Sequence, residues 1–329
     1  MSVLVTGGAG YIGSHMVLRL CDDGDMPVVV DNLVTGFDWA LDGRATFVRG
    51  NAGDIDLMEK VLKQHEVDAV IHFAGSIVVP ESVTDPLKYY ANNTCVSRSL
   101  MDAAIRAGVK HFIFSSTAAV YGETGLTPVK ENDHLLPVSP YGRSKLMTEM
   151  MLADAAAAYP MTYGVLRYFN VAGADPSTRS GQSTKNATHL IKVAAEAAVG
   201  KREGVSIFGD DYPTPDGTCV RDYIHVSDLV SAHALLLDYL RKGGESTTLN
   251  CGYGHGYSVK QVIETVKAET GTDFEVSMAP RRPGDPPAIV AGADRIRSAL
   301  GWTPEFDDLG TIVRHAYGWE KYLLTRNRE

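Results

Sequence analysis

The sequence has 329 residues, 44% hydrophobic and 22% charged, with a formal net charge of −9. That is enough chain for a large core in one or two domains, and the composition is ordinary for a globular protein. No apolar run reaches the length that spans a bilayer, and an acidic chain lacks the basic face of a nucleic-acid binder, so an anionic ligand needs locally placed arginines.

Residues 1–6 lack the basic start and long apolar stretch of a signal peptide and read as a first strand. Cys21, Cys95, Cys219 and Cys251 are scattered without CxxC spacing. Reduced thiols in a cytoplasmic protein are expected, with no metal-ligand set. Short apolar runs at 3–5, 28–30, 47–48, 69–72 and 112–115 alternate with amphipathic stretches at 15–21, 57–64 and 96–107. This predicts an α/β fold built on a doubly wound parallel sheet, the Rossmann arrangement. From about residue 170 the texture changes. The stretches 174–186, rich in Ser, Thr and Gly, and 209–217, rich in Asp and Pro, read as pocket-shaping loops. Helices are predicted again over 227–240, 259–270 and 310–324. The expected division is a dinucleotide-binding domain over 1–170, rejoined by about 218–250, and a smaller C-terminal α/β lobe over 171–329.

The segment Thr6-Gly7-Gly8-Ala9-Gly10-Tyr11-Ile12-Gly13 follows the first strand and opens a helix. Its glycines satisfy GxGxxG, permit a tight turn and let backbone amides approach a pyrophosphate. Glycine clusters are common in loops, but strand before and helix after give this one its meaning. The second strand ends in Asp31-Asn32, and Asp31 lies eighteen positions past Gly13. A carboxylate there accepts from ribose hydroxyls and repels the extra phosphate of NADP, which favours NAD.

In Ser139-Pro140-Tyr141-Gly142-Arg143-Ser144-Lys145, Ser139 suits an N-cap and Pro140 the first helical position. Tyr141 and Lys145 then share a helix face, where an ammonium lowers a phenol's pKa and readies it as a general base. A Tyr and a Lys four apart often arise by chance in an amphipathic helix. The pair gains weight from Ser115-Ser116-Thr117 at the end of the fifth strand, because catalytic groups in such sheets sit at strand carboxyl ends.

Gly7–Gly13, Ser115–Thr117 and Tyr141–Lys145 resemble the extended short-chain dehydrogenase/reductase superfamily. Ile71-His72-Phe73-Ala74-Gly75, Tyr168-Phe169-Asn170, Val220-Arg221-Asp222-Tyr223-Ile224-His225 and Pro280-Arg281-Arg282-Pro283-Gly284-Asp285 narrow the match to the UDP-glucose 4-epimerases, also called UDP-galactose 4-epimerases. The resemblance runs from near the first residue to about residue 320. It implies that Tyr141 takes the proton of sugar O4 while C4 passes hydride to NAD. The 4-keto sugar then turns over and regains hydride on its other face. Lys145 is implied to bind the nicotinamide ribose and tune Tyr141, and Thr117 to hold O4.

NAD contacts are implied for Gly7, Gly10, Tyr11, Ile12 and Gly13, for Asp31 with Asn32, and for Asn51 with Ala52. Phe73, Ala74, Gly75 and Asn93 match segments along the cofactor, and cofactor contacts are likewise implied for Ser115, Tyr141, Lys145 and Tyr168. For the UDP-sugar substrate, Asn170 matches a contact to pyrophosphate or sugar. His189, Leu190 and Phe208 fall where the uridine is enclosed. Arg221 and Arg282 match diphosphate clamps, which suits the guanidinium fork, and Asp285 a ribose-binding acid. Ile289 aligns with the position whose bulk governs N-acetylated sugars, leaving UDP-N-acetylhexosamine or UDP-uronate as alternatives. A homodimer is implied, through helices around 96–107 and 146–158.

Three departures stand out. Ile77 replaces a lysine that helps hold NAD, Asn51 an adenine-side aspartate, and His189 a uridine-side asparagine, and the first two predict weaker NAD retention. Among competing activities, a nucleotide-sugar 4,6-dehydratase needs acidic residues just after the catalytic Thr, where this chain has Ala118 and Ala119. A net dehydrogenase would not recycle NAD within one turnover. A non-catalytic NAD-sensing protein on this fold has little use for an activated tyrosine.

Overall fold

The computed structural model describes residues 1–125, 127–282 and 284–326. Ser2–Thr6 (β1), Met26–Asp31 (β2), Thr46–Arg49 (β3), Val67–His72 (β4), His111–Thr117 (β5) and Thr162–Tyr168 (β6) lie in one sheet with the late strand Thr247–Cys251. The order is Thr247–Cys251, β6, β5, β4, β1, β2, β3, and every pairing is parallel.

Apolar residues in succession along a strand can only be satisfied if both faces are covered. Val3 and Val5 of β1 join one core with Met16, Val17 and Leu20 of helix Tyr11–Asp22 and Leu229, Leu236 and Leu240 of helix Val226–Arg241. Leu4 between them joins the opposite core, with Met58 and Leu62 of helix Ile55–Gln64 and Leu100 and Ala104 of helix Val96–Ala107. Phe112, Phe114 and Leu152 continue this second core, and Leu152 lies on helix Pro140–Ala158. That helix therefore covers the same face as the even-numbered residues of β5.

Because β1 has β2 on one side and β4 on the other, the strand order reverses there and opens a crevice at the carboxyl ends of β1 and β4. Thr6 stands opposite His72 at the top of these two strands. The early strands and helices contain the runs read from sequence, each extended by a few residues at most. Two short helices, Val79–Thr84 and Pro86–Tyr89, and a π-helical turn over Tyr90–Cys95 were not anticipated. Val79 and Val83 are poor helix formers and mask the first of these.

Beyond β6 the chain builds smaller sheets. Asn170–Ala172 pairs in parallel with Tyr223–His225, and Val220–Arg221 lies between Tyr257–Ser258 and Ala288–Ile289. Gly204–Phe208 pairs with Glu275–Ala279. Helix Val226–Arg241 packs on the large sheet and Thr247–Cys251 pairs with β6.

Candidate functional site

At the end of β1 the chain turns on Gly7, whose φ is +69°. A β-carbon on Gly7 would stand 2.7 Å from the Ala74 amide nitrogen, and one on Gly13 would collide with the Gly7 carbonyl. The glycines thus let three stretches of backbone close on one another. Helix Tyr11–Asp22 begins there with Gly10 as N-cap, with no side-chain cap and no acid in its first turn. Its first amides and its dipole are left to an anionic ligand. Tyr11 anchors this turn to the second lobe by donating to the Gly173 carbonyl at 2.7 Å, and Ile12 packs against the first core.

Asp31 is buried, and its two carboxylate oxygens accept from the Ala9 amide at 3.0 Å and the Leu33 amide at 2.8 Å. Its side chain is thereby fixed beside the glycine turn. The exposed neighbour Asn32 accepts from the Val34 amide at 3.1 Å. Beyond β3, Ala52 is buried, while Asn51 is exposed and its side-chain oxygen accepts from the Gly53 amide at 2.9 Å. These residues form a cradle whose open helix N-terminus and fixed carboxylate have the chemistry that a dinucleotide needs.

Ser139 caps helix Pro140–Ala158 by accepting from the Gly142 amide at 3.1 Å, and Pro140 occupies its first turn, as the sequence predicts. The helix projects Tyr141 and Lys145 toward the end of β5. The Thr117 hydroxyl bears on the Tyr141 phenol and acts to lower its pKa. Lys145 Nζ donates to the Ser115 carbonyl at 2.9 Å and stands 4.8 Å from the centre of the Phe114 ring. The Ser115 hydroxyl is hydrogen-bonded to Tyr168. Asn93, inside the π-helical turn, accepts from the Ser76 amide at 2.7 Å and donates to Ser144 Oγ at 3.0 Å. A β-carbon on Gly75 would lie 3.0 Å from Asn93 Oδ1 and 3.8 Å from Lys145 Nζ. Gly75, Asn93 and Lys145 therefore converge, and Phe73 and Ala74 lead into them from β4.

One expectation needs correction. The spacing of Tyr141 and Lys145 predicts a phenol pulled toward neutrality, but burial dominates and pushes the Tyr141 pKa above its ordinary value. Burial also brings Lys145 down to about 8, against the opposing charge of Glu149. The i,i+4 rule places two groups on one face but does not reveal how dry that face is.

The substrate-side residues come from several loops. Asn170 donates its amide to the Asp222 carbonyl at 3.0 Å, and Arg221 stands in register with Ile289. Arg221 donates to the Val220 and Pro286 carbonyls at 2.9 Å each, with a carboxylate oxygen of Asp285 at 3.8 Å. The Arg282 guanidinium lies 3.8 Å from the centre of the Phe208 ring, a cation–π contact that brings two predicted residues together. His189 precedes helix Leu190–Ala198, and Gln182 donates to its Nδ1 at 2.8 Å. Burial lowers the His189 pKa, so the ring is neutral with its hydrogen on Nε2. Ile289 is buried with Ala118, Val120, Tyr121 and Phe169 in a small core beside the catalytic strand. Ala118 is buried in that wall, whereas Ile77 is half exposed.

Sequence reasoning missed four contributors. Tyr89 is fully buried, meets the Tyr141 ring edge to face at 6.4 Å, and lies 2.7 Å from Glu81 Oε2. Asp222 accepts from the amides of Tyr253, Gly254 and Ala291 at 3.0, 3.0 and 3.2 Å, tying two loops to the Arg221 strand. Gln182 fixes the tautomer of His189, and Glu149 forms a buried pair with Arg167. Only Glu149 had a readable signal, its place four residues after Lys145.

The family model described as the NAD dependent epimerase/dehydratase family matches residues 3–252. A UDP-glucose 4-epimerase from Azospirillum brasilense is 56% identical over 321 residues, covering 98% of this chain and 92% of that one. The structure of UDP-glucose 4-epimerase from Brucella ovis in complex with NAD is similar with a TM-score of 0.93 at 44% identity, over 96% of this chain and 97% of that one. The UDP-Glc/GlcNAc 4-epimerase of Campylobacter jejuni is similar with a TM-score of 0.85 at 48% identity, over 98% and 99% of the two chains. Fold, dinucleotide cradle and these likenesses agree, and the chain belongs to the NAD dependent epimerase/dehydratase family.

Proposed function

We propose that this protein is a UDP-glucose 4-epimerase, an NAD-dependent enzyme that inverts C4 of a UDP-hexose and so interconverts UDP-glucose and UDP-galactose. The observation that carries this reading is Tyr141 and Lys145 one turn apart on helix Pro140–Ala158 at the end of β5, Tyr141 beside Thr117 and Lys145 on the Ser115 carbonyl, with alanines at 118 and 119 where a dehydratase needs acids. Bound NAD supplies the reversible hydride acceptor for C4.

The remaining chemistry belongs to the chain. Thr117 orients the O4 hydroxyl, and Tyr141 takes its proton and later returns it. Burial holds the Tyr141 phenol high and the Thr117 hydroxyl works against this, while an ammonium one turn along the same helix, Lys145, favours the phenolate as the proton moves. Arg221 and Arg282 hold the diphosphate, with Asn170 beside it and Asp285 at the uridine ribose. His189, Leu190 and Phe208 enclose the base. Anchoring the nucleotide while the wall around Ile289 touches the sugar loosely lets the oxidised sugar present its other face.

A second reading, turnover of UDP-N-acetylhexosamine, is favoured by Ile289, which is neither aromatic nor small and lies buried in the small core with Ala118 and Phe169. The dimer we propose uses helices Val96–Ala107 and Pro140–Ala158, the latter exposing Met147 and Met150. A cytoplasmic location is supported by four free thiols, Cys95 among them exposed. No helix among the described residues is long and apolar enough to cross a membrane.

Tyr141→Phe removes the proton carrier and keeps the ring. Turnover of UDP-glucose should fall by about 10²–10⁴-fold while NAD binding persists; undiminished turnover contradicts the role given to Tyr141. With aliphatic Ile77 at the cofactor's edge, protein purified without added NAD should hold less than one equivalent and gain activity on supplementation. Stoichiometric NAD with full activity would show that Ile77 costs nothing. In an NMR time course with UDP-glucose, UDP-GlcNAc and UDP-glucuronate, UDP-glucose should equilibrate fastest and UDP-GlcNAc more slowly. Absence of any UDP-GlcNAc conversion removes the second reading.

A further inference from the structure

The face of helix Pro140–Ala158 that carries the chemistry holds a third polar residue that the mechanism leaves unused. Tyr141, Lys145 and Glu149 recur every four residues and share one stripe. Each meets one of three consecutive residues at the end of β5. The Thr117 hydroxyl bears on Tyr141, the Ser115 carbonyl accepts from Lys145 Nζ at 2.9 Å, and the Ser116 hydroxyl donates to Glu149 Oε1. Side chains alternate along a strand, so Ser116 points with Phe114 toward the helix. Glu149 thereby grips the strand between the two residues that bear on Lys145 and Tyr141.

A carboxylate 7% exposed needs a partner, and Arg167 of β6 supplies one. Its Nη2 donates to Glu149 Oε2 at 2.6 Å, and its Nη1 to the Tyr121 hydroxyl at 3.1 Å and the Glu131 carbonyl at 3.2 Å. Tyr121 donates onward to Asn250 on the late strand at 2.6 Å. Arg167 alone would satisfy an ion pair, whereas the additional hydrogen bond to Ser116 ties the charge to the reacting strand end.

We propose that Glu149 is a positioning residue for catalysis, holding Ser115–Thr117 in register with Tyr141 and keeping the Lys145 ammonium charged in a dry site. The assignment rests on the reading of Tyr141 and Lys145 as the proton-transfer pair. Burial lowers the Lys145 pKa to about 8, and Glu149 is the charge that opposes this. From β4, His72 faces the same ammonium but is itself held neutral by burial. From β5 come the Phe114 ring and the Ser115 carbonyl, from the π-helical turn neutral Asn93, and from β6 the Tyr168 phenol, whose pKa burial raises. Arg167, also from β6, is engaged with Glu149.

Removing the carboxylate favours neutral lysine, so the alkaline limb of kcat moves to lower pH. The test is the kcat and KM profile from about pH 6 to 10 for UDP-glucose in wild type, Glu149→Gln and Glu149→Gln/Arg167→Met, the double variant leaving no orphaned guanidinium. Expected are a fall in kcat of about tenfold or more, an alkaline limb moved acidward by on the order of one pH unit, and a KM within about twofold. A folded Glu149→Gln whose limb coincides with wild type, or a folded double variant that keeps wild-type kcat, overturns the proposal; the limb is read in the single variant because loss of the Arg167 cation offsets loss of the Glu149 charge in the double one. Tyr141→Phe run alongside separates the two readings. Full turnover there removes the parent mechanism, whereas a Tyr141-dependent enzyme with an unmoved limb removes only the Glu149 assignment.

Discussion

Lys145 carries its charge to a place where it is 3% exposed, and the cost of that burial dictates what surrounds it. Its ammonium needs a carbonyl, which Ser115 supplies only because β5 ends beside the helix and not below it. It needs an opposing charge, which Glu149 supplies. It needs a surface to lie on, which the Phe114 ring supplies. Tyr141 and Thr117 follow from the same docking, since helix and strand can register in few ways once the buried polar pairs are made. The dinucleotide cradle is placed by the sheet order, which opens its crevice next to β4 and so beside this helix.

The C-terminal elements meet a different demand. On the proposed function they hold a nucleotide firmly and leave a hexose free to turn. Asp222 ties its three backbone partners to the Arg221 strand, and Arg282 lies on Phe208. Ile289, Ala118 and Phe169 share a small apolar core beside the end of β5. Strong contacts at the nucleotide and weak ones at the hexose are the division of binding energy that inversion by rotation requires.

Features encoded locally were legible in the sequence. The turn at Gly7–Gly13, the acid at Asp31, the cap at Ser139–Pro140 and the Tyr141–Lys145 spacing each need only a few consecutive residues, and each appears where the pattern puts it. Features made by distant partners were not. Arg167 meets Glu149 across eighteen positions, Tyr121 meets Asn250 across 129, and neither pair has a sequence signature. The Tyr141 pKa moves up and not down for the same reason, because dryness is a property of the assembled site. The π-helical turn that points Asn93 inward was also invisible, since its residues fit an ordinary helix equally well.

On the proposed mechanism hydride leaves C4 and returns to the same carbon on its other face, with the proton handled by Tyr141. The most direct test is NMR of UDP-glucose carrying deuterium at C4, followed until it equilibrates with UDP-galactose. The account predicts that the product keeps its deuterium at C4, that none is washed out by solvent, and that no net NADH accumulates. Loss of the label to water, or its appearance at another carbon, would contradict it.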